Sequence, residues 1–373
     1  MMKFRKLLLL LTALVVVAAA CGTAEPEATE APATEAPVTQ PPATEPPATE
    51  APVVTEPPAP AIGSAENPIQ VFFVPSTGAE EIIAGGELLD VALTDATGLE
   101  FEVAVGSSYA ATIEGMCAAP DTSMGFIPAQ GYVLASDLCG VTIELKALRF
   151  GYDVYWTQFI VPRDSDIMTL ADLEGKKWAY PDAGSTSGFL VPSGMFEALG
   201  ITTGEGFEAG GHSAVARAIY NGEADFGTTF FSPVVDAEFN SLWDGDINNG
   251  DVSADAIDTC VLNANGQIEC GDEYPRDARR GIREEAPDVI QAVRIVTLSD
   301  PIPNDGVAFG PDFPADIQAT VVGALIAFAE NDSEGFSAAF DAYSWSSLAA
   351  TSDSEFDSIR ALLAALGFTM DDF

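Results

Sequence analysis

The chain has 373 residues, with 15 Lys and Arg against 57 Asp and Glu, a formal net charge of −42 and a single histidine. Such an acidic balance disfavours nucleic-acid binding. One His and five Cys without a CxxC pair leave no recognisable metal-ligating set.

Residues 1–6 carry Lys3, Arg5 and Lys6, and an apolar run follows as far as Cys21. This reads as a secretory signal over 1–20. The end, "VAAAC", resembles the lipobox of bacterial lipoproteins, which makes Cys21 the expected lipidation site and anchors the mature chain to a membrane. A drifting Thr-Glu-Ala-Pro repeat fills 21–62. Proline and threonine in that density build no core, so the segment is expected to be an extended, disordered stalk. Beyond it lie 12 basic and 50 acidic residues. About 310 residues exceed one ordinary core, so two lobes are expected.

From Gly63 the pattern alternates. "IQVFFVP" (69–75) reads as a buried strand and "AEEIIAGGELLDVALTDATG" as a helix. A strand "LEFEVAVG" leads into a helix at "SSYAATIEGMCAA", capped by Ser107 or Ser108. Strands at "TSMGFIP" and "VTIELKALRF" flank a helical "YVLASDLC". "YWTQFIVP" is a strand, "SDIMTLADLEG" a capped helix and "KKWAYP" a strand. "SAVARAIYNGE" is a helix and "ADFGTTF" a strand. From about 236 to 289 the pattern dissolves into Asn, Asp and Gly, which reads as a surface insertion. "AVRIVTLS" restores a strand, and helices fill the C-terminus. This alternation predicts an α/β fold with largely parallel sheets. Cys117, Cys139, Cys260 and Cys270 allow three pairings in an oxidising compartment, and sequence neighbours suggest 117–139 and 260–270.

Two strand-to-helix turns stand out, "VGSSYAATIEG" and "PDAGSTSGF". Helix starts offer free N–H groups and the positive end of the dipole, which suits an anion. In the second turn Ser185, Thr186 and Ser187 stand between Gly184 and Gly188, more hydroxyls than a cap requires. Pro192 follows, so that helix is expected to kink or restart. His212 comes after two glycines at another helix start, where it can cap or donate to an oxyanion. Spacing does not decide whether Tyr109 and Tyr155 are core aromatics or site residues. Asp305, in a turn by composition, can cap a helix or accept from a ligand. No GxSxG, GxxxxGK[ST] or HExxH signature supports an enzyme, and no cofactor is implied.

In combination, STSG, GxH and IPND in this order resemble the substrate-binding proteins of phosphate, phosphite and phosphonate ABC transporters, the PhnD-like group. The likeness runs over 68–373 outside the insertion. It implies a type II periplasmic-binding-protein fold, two α/β lobes joined by a hinge around a ligand cleft. Expected boundaries are 63–159 with 303–373 for one lobe and 160–302 for the other. The resemblance implies that Tyr109, Ser185, Thr186, Ser187 and His212 hold the oxygens of a small phosphorus oxyanion. Tyr155 with Thr157 matches the family's YxS strand, with Thr in place of Ser, and Asp305 is the carboxylate of the IPND turn. Phe231, Ser232 and Pro233 stand where aminoalkyl-phosphonate binders carry a glutamate. An ammonium-bearing ligand therefore loses an anchor, and phosphite, methylphosphonate or phosphate gains. The expected partners are an ABC permease and its ATPase, and the expected state is a monomer. Two other readings stay open: a sensory lipoprotein, and a binder of a sulfonate or other organic acid.

Overall fold

The computed structural model describes residues 59–373; the leader, Cys21 and the proline-rich repeat up to residue 58 lie outside the described residues. The chain opens with β1 (Ile69–Phe73), α1 (Ala79–Thr97), β2 (Phe101–Val105), α2 (Tyr109–Ala118), β3 (Ser123–Ile127), α3 (Ala129–Cys139) and β4 (Thr142–Leu148). There follow β5 (Val154–Pro162), β6 (Trp178–Tyr180), α4 (Val191–Leu199), β7 (Gly206–Glu208), α5 (His212–Tyr220) and β8 (Phe226–Phe231). Next come β9 (Cys260–Leu262), β10 (Ile268–Cys270), α6 (Val289–Ala292), β11 (Val293–Leu298) and β12 (Ile302–Pro303). The last part is β13 (Gly306–Phe309), α7 (Ala315–Asn331), α8 (Ser333–Ala339), β14 (Ser347–Ala350) and α9 (Asp357–Leu366).

These strands form two main sheets, ordered β14-β4-β13-β3-β1-β2 and β11-β5-β8-β6-β7, with β12 added to β5. Each sheet has a parallel half. In the first, β1 pairs with β2 and β3, and in the second, β6 pairs with β7 and β8. The remaining pairings are antiparallel: those of β5 and β13, which enter their sheets from the opposite end after the chain changes sheets, and that of β14 with β4. The sheets are therefore mixed rather than largely parallel. The chain passes to the second sheet between Leu148 and Val154, ahead of the expected 159/160 boundary, and returns between Pro303 and Gly306.

Local chemistry explains most elements. Strand β1 alternates, with Ile69, Val71 and Phe73 buried. Helix α1 packs close through its glycine pair: a Cβ on Gly85 would lie 2.2 Å from the Ala339 carbonyl oxygen, and one on Gly86 2.6 Å from Val103. The capped helix expected at 165–175 shrinks to a 3-10 turn, Leu170–Leu173. Thr169 and Asp172 form its capping box, but only one turn separates the box from Gly175, too little for a stable α-helix.

The 236–289 segment is not wholly superficial. Asp277 and Arg279 are fully buried; Arg279 Nε lies 2.9 Å from Asp277 Oδ1, and its Nη1 lies 2.7 Å from Asp251 Oδ1. Gln158 on β5 donates to Asp277 at 3.1 Å. Mutual pairing is what lets these charges enter the core.

Two disulfides are present, Cys117–Cys139 and Cys260–Cys270. The second links paired positions of β9 and β10. The first ties the C-terminal ends of α2 and α3 across a sequence separation of 22 residues. Loop-closure entropy assigns such a bridge about 3 kcal/mol. Urea unfolding of a Cys117→Ala/Cys139→Ala double variant is expected to show a loss of that order. A change below about 1 kcal/mol would mean that the bridge does not constrain the unfolded chain.

Candidate functional site

The two passages between the sheets meet at one point. After β4, residues 149–152 reverse tightly. Arg149 N–H donates to Tyr152 O at 2.9 Å, and Tyr152 N–H returns to Arg149 O at 3.1 Å. Phe150 and Gly151 have φ of 52° and 88°, the positive values a type I′ turn requires. On the return, Asn304 Nδ2 donates to Ala147 O at 2.9 Å, and Ala147 N–H donates to Asp305 O at 2.9 Å. The Arg149 guanidinium and the Asp305 carboxylate pair through Nη2 and Oδ2. The Arg149 side chain is only 3% exposed. It lies over the Tyr155 ring at 4.4 Å and the Phe230 ring at 5.4 Å. Trp345 Nε1 donates to the same Asp305 oxygen at 3.3 Å.

The three-hydroxyl cluster opens a wide turn. Residues Thr186–Leu190 are π-helical before α4 begins at Val191. Val191 N–H donates to Thr186 O, so Ser187 O loses its α-helical donor. Pro192 has no N–H, so Gly188 O loses its own. Hydroxyls of the second sheet replace both: Thr157 donates to Ser187 O at 2.7 Å and Thr228 to Gly188 O at 2.5 Å. Ser185 Oγ caps the turn by accepting from Gly188 N–H at 3.1 Å. By construction, the first turn leaves the amides of Thr186 and Ser187 without an intrahelical acceptor.

His212 is buried at the start of α5. Gly211 before it has φ of 136°, and a Cβ there would meet Ser76 O at 3.2 Å. His212 Nδ1 accepts from Phe230 N–H at 3.2 Å, which assigns the proton to Nε2. Nε2 lies 3.4 Å from Ser185 Oγ. Burial, reinforced by the nearby Arg149 charge, lowers the His212 pKa to about 3. At neutral pH it is therefore an uncharged donor.

Ser76, Tyr109, Arg149, Tyr155, Ser185, Ser187, His212, Phe230 and Asp305 line one cavity, with Val74, Phe126, Pro128 and Tyr343. About 20 Å³ of it is open to the centre of a water-sized sphere, against about 10–15 Å³ for one water. That suits a compact ion and leaves no room for a long substituent. Hydrogen bonds also link residues that flank the two sheets. His212 N–H donates to Ser76 O at 2.7 Å, Thr77 and Ser213 hydroxyls lie 2.8 Å apart, and Gln130 N–H donates to Thr186 Oγ1 at 2.8 Å.

A family described as the periplasmic substrate-binding protein of phosphonate ABC transporters matches residues 71–356. The chain belongs to this family. It is 30% identical over 224 residues to the phosphate-import protein PhnD of Mycolicibacterium smegmatis, covering 52% of this chain and 68% of that one. The fold resembles PhnD1 of Prochlorococcus marinus, solved with methylphosphonate: TM-score 0.60, 12% identity, 80% of this chain and 98% of that one. It also resembles the binding-protein component of an ABC phosphonate transporter from Pseudomonas aeruginosa: TM-score 0.58, 17% identity, 79% and 85% covered. The architecture is thus the two-lobed type II periplasmic-binding fold of a phosphonate or phosphate transport protein. Members of this family bind and hand over a solute rather than transform it.

Within this family member, six of the eight sequence-predicted site residues line the cavity: Tyr109, Tyr155, Ser185, Ser187, His212 and Asp305. Thr157 and Thr186 do not. The Thr157 hydroxyl is spent on Ser187 O, and the Thr186 hydroxyl accepts from the start of α3. The α2 start also differs from expectation. Its Tyr109 N–H donates to Asp182 Oδ2 at 3.3 Å and its Ala111 N–H to Ser108 Oγ at 3.1 Å, so those amides are not offered to a ligand. Burial raises the Asp182 pKa, opposed by the N–H donors of Gly184 and Tyr109. Sequence reasoning missed Arg149 and Ser76. One signal was available: a rare basic residue at the end of a predicted strand, just before a Gly-Tyr turn. Among the described residues no His, Cys, Asp or Glu cluster could hold a metal.

Two predictions follow from this geometry. Thr228→Val leaves Gly188 O and the Trp178 indole N–H, which donates to the same hydroxyl at 2.8 Å, both buried and unpaired. It is expected to cost at least about 1–3 kcal/mol by chemical denaturation, and a cost near zero would refute the carbonyl-replacement account. His212 has its pKa lowered on folding, so unfolding takes up a proton, and stability is full above about pH 6.5 and falls as pH drops toward 3. Between about pH 7 and pH 5 the loss should approach about 1 kcal/mol per pH unit and should vanish in His212→Gln.

Proposed function

We propose that this protein captures a small phosphorus oxyanion outside the cytoplasm and delivers it to an ABC permease and its ATPase. The observation that carries this reading is the compact cavity lined by hydroxyls, a neutral histidine donor and one guanidinium. Such donors match tetrahedral P–O oxygens, and hydrogen bonds to a charged ligand contribute about 1.5–3 kcal/mol each. Tyr109, Tyr155, Ser185, Ser187 and His212 contact the oxygens, and Asp305 accepts from a protonated oxygen. Thr157 and Thr186 act indirectly, by holding the wide turn and its contact with α3. The lobes close over the ligand about the paired passages at 149–153 and 304–305. The protein works as a monomer tethered through lipid on Cys21, with the 21–62 segment as a spacer. The name of the mycolicibacterial relative and the methylphosphonate of the Prochlorococcus structure support this ligand class. Phe230 lines the cavity just before Phe231, Ser232 and Pro233, which stand where aminoalkyl-phosphonate binders carry a glutamate, and this favours ligands without an amino group.

Calorimetric titration with phosphate, phosphite, methylphosphonate and 2-aminoethylphosphonate tests the reading. Ser187→Ala and His212→Ala should each weaken binding at least about tenfold, equivalent to 1.4 kcal/mol. Retained affinity in both variants would refute the site, and a strong preference for the aminated ligand would refute the ligand class. Cys21→Ser should move the protein from the membrane fraction to the soluble fraction.

A further inference from the structure

We propose, resting on the function proposed above, that Arg149 and Asp305 make the cavity select a doubly charged tetrahedral oxyanion that keeps one hydroxyl. Among phosphorus oxyanions that species is hydrogen phosphate.

Three observations carry this. First, Arg149 is buried and lines the cavity, yet its Nε and Nη1 have no hydrogen-bond partner among the described residues. These two nitrogens carry three N–H donors. Only Nη2 is engaged, by Asp305. Second, the guanidinium cannot swing away. The 149–152 reversal fixes its backbone, and the rings of Tyr155 and Phe230 flank its plane. Third, Asp305 uses Oδ2 for both Arg149 and Trp345, while Oδ1 accepts from no donor among the described residues. The cavity therefore presents one fixed cationic donor set and one carboxylate acceptor.

The surrounding groups do not change this balance. His212, at the start of α5, is neutral. Tyr109 of α2, Tyr155 of β5 and Tyr343 are buried phenols that stay protonated, since burial raises each of them. Asp182 lies behind Tyr109 and is held by two N–H groups. Without Arg149, the carboxylates would repel a second ligand charge and only neutral donors would oppose them. With it, the Asp305 charge is offset.

Ligand chemistry then discriminates. The dianions of phosphite and methylphosphonate carry three bare oxygens and no O–H, the phosphite hydrogen being bound to phosphorus. Sulfate also lacks an O–H. Each would meet Asp305 Oδ1 with lone pairs. Their monoanions supply an O–H but one charge fewer for Arg149. Hydrogen phosphate supplies both, and its singly charged form sets an extra O–H against the donors.

The test is calorimetry of the protein with inorganic phosphate, sulfate and methylphosphonate at about pH 6 and about pH 8, with thermal melting to check the fold. The unaltered protein should bind phosphate about tenfold more tightly at the higher pH and sulfate at least about a hundredfold more weakly than phosphate. Arg149→Gln should weaken phosphate at least about thirtyfold at the higher pH and flatten its pH dependence, and Arg149→Lys should restore part of both. Asp305→Asn should narrow the phosphate-to-sulfate ratio at least about tenfold, and it keeps the test decisive if Arg149→Gln does not fold. An unchanged pH slope in the Arg149 variants, an equal loss for all three anions, or an unchanged ratio in Asp305→Asn overturns the inference while the proposed function stands. Failure of the unaltered protein to bind any phosphorus oxyanion overturns both.

Discussion

The buried pair between Arg149 and Asp305 is the contact on which the site depends. Its partners lie 156 residues apart, one on each passage between the sheets. Removing a guanidinium and a carboxylate from water costs several kcal/mol per ion, and leaving either alone costs more. The pair is tolerable only where both passages come together, flanked by Tyr155 and Phe230 and capped by Trp345. Asn304 reinforces the junction by donating to Ala147 O. The place where the halves of the fold are joined is thus also the floor of the cavity.

An acidic protein that holds an anion must do so locally. At physiological salt the screening length is about 8 Å, so exposed carboxylates act weakly across the molecule. A buried guanidinium is screened far less. Around it the protein adds donors without adding charge. His212 stays neutral because burial and Arg149 disfavour its cation, and Phe230 N–H assigns its tautomer. The wide turn at 185–190 adds hydroxyls and unpaired amides. It persists only because Thr157 and Thr228 satisfy the two carbonyls that the turn and Pro192 leave bare. Contacts between the flanks of the sheets, such as His212 N–H to Ser76 O, are single hydrogen bonds, each about 1 kcal/mol net.

Much of this was legible without coordinates. The four downstream cysteines left three pairings open, but the alternation of strand and helix and the GSTSG, GGH and IPND segments placed residues at or beside the cavity. They are short-range patterns, and each carries its own local physics: periodicity, turn chemistry, or a helix start. Three features were not legible. Arg149 was read as the end of a strand, because nothing in "LRFGYD" announces a partner 156 residues away. Thr157 matched a ligand position by motif, but its hydroxyl is claimed by a carbonyl that only the wide turn exposes. The Tyr109 and Ala111 amides at the start of α2 suit a ligand by position, but in the fold they donate to Asp182 and Ser108.

The sequence by itself determined the α/β class through composition and period, and through motif order it determined the family and, by that resemblance, six of the cavity's polar residues. The tertiary structure alone decided which donors remain free, which carboxylate is neutralised and how much room the ligand has. Those properties belong to contacts between segments distant in the chain, and a hydrogen-bonding group is available to a ligand only if no other part of the protein has already taken it.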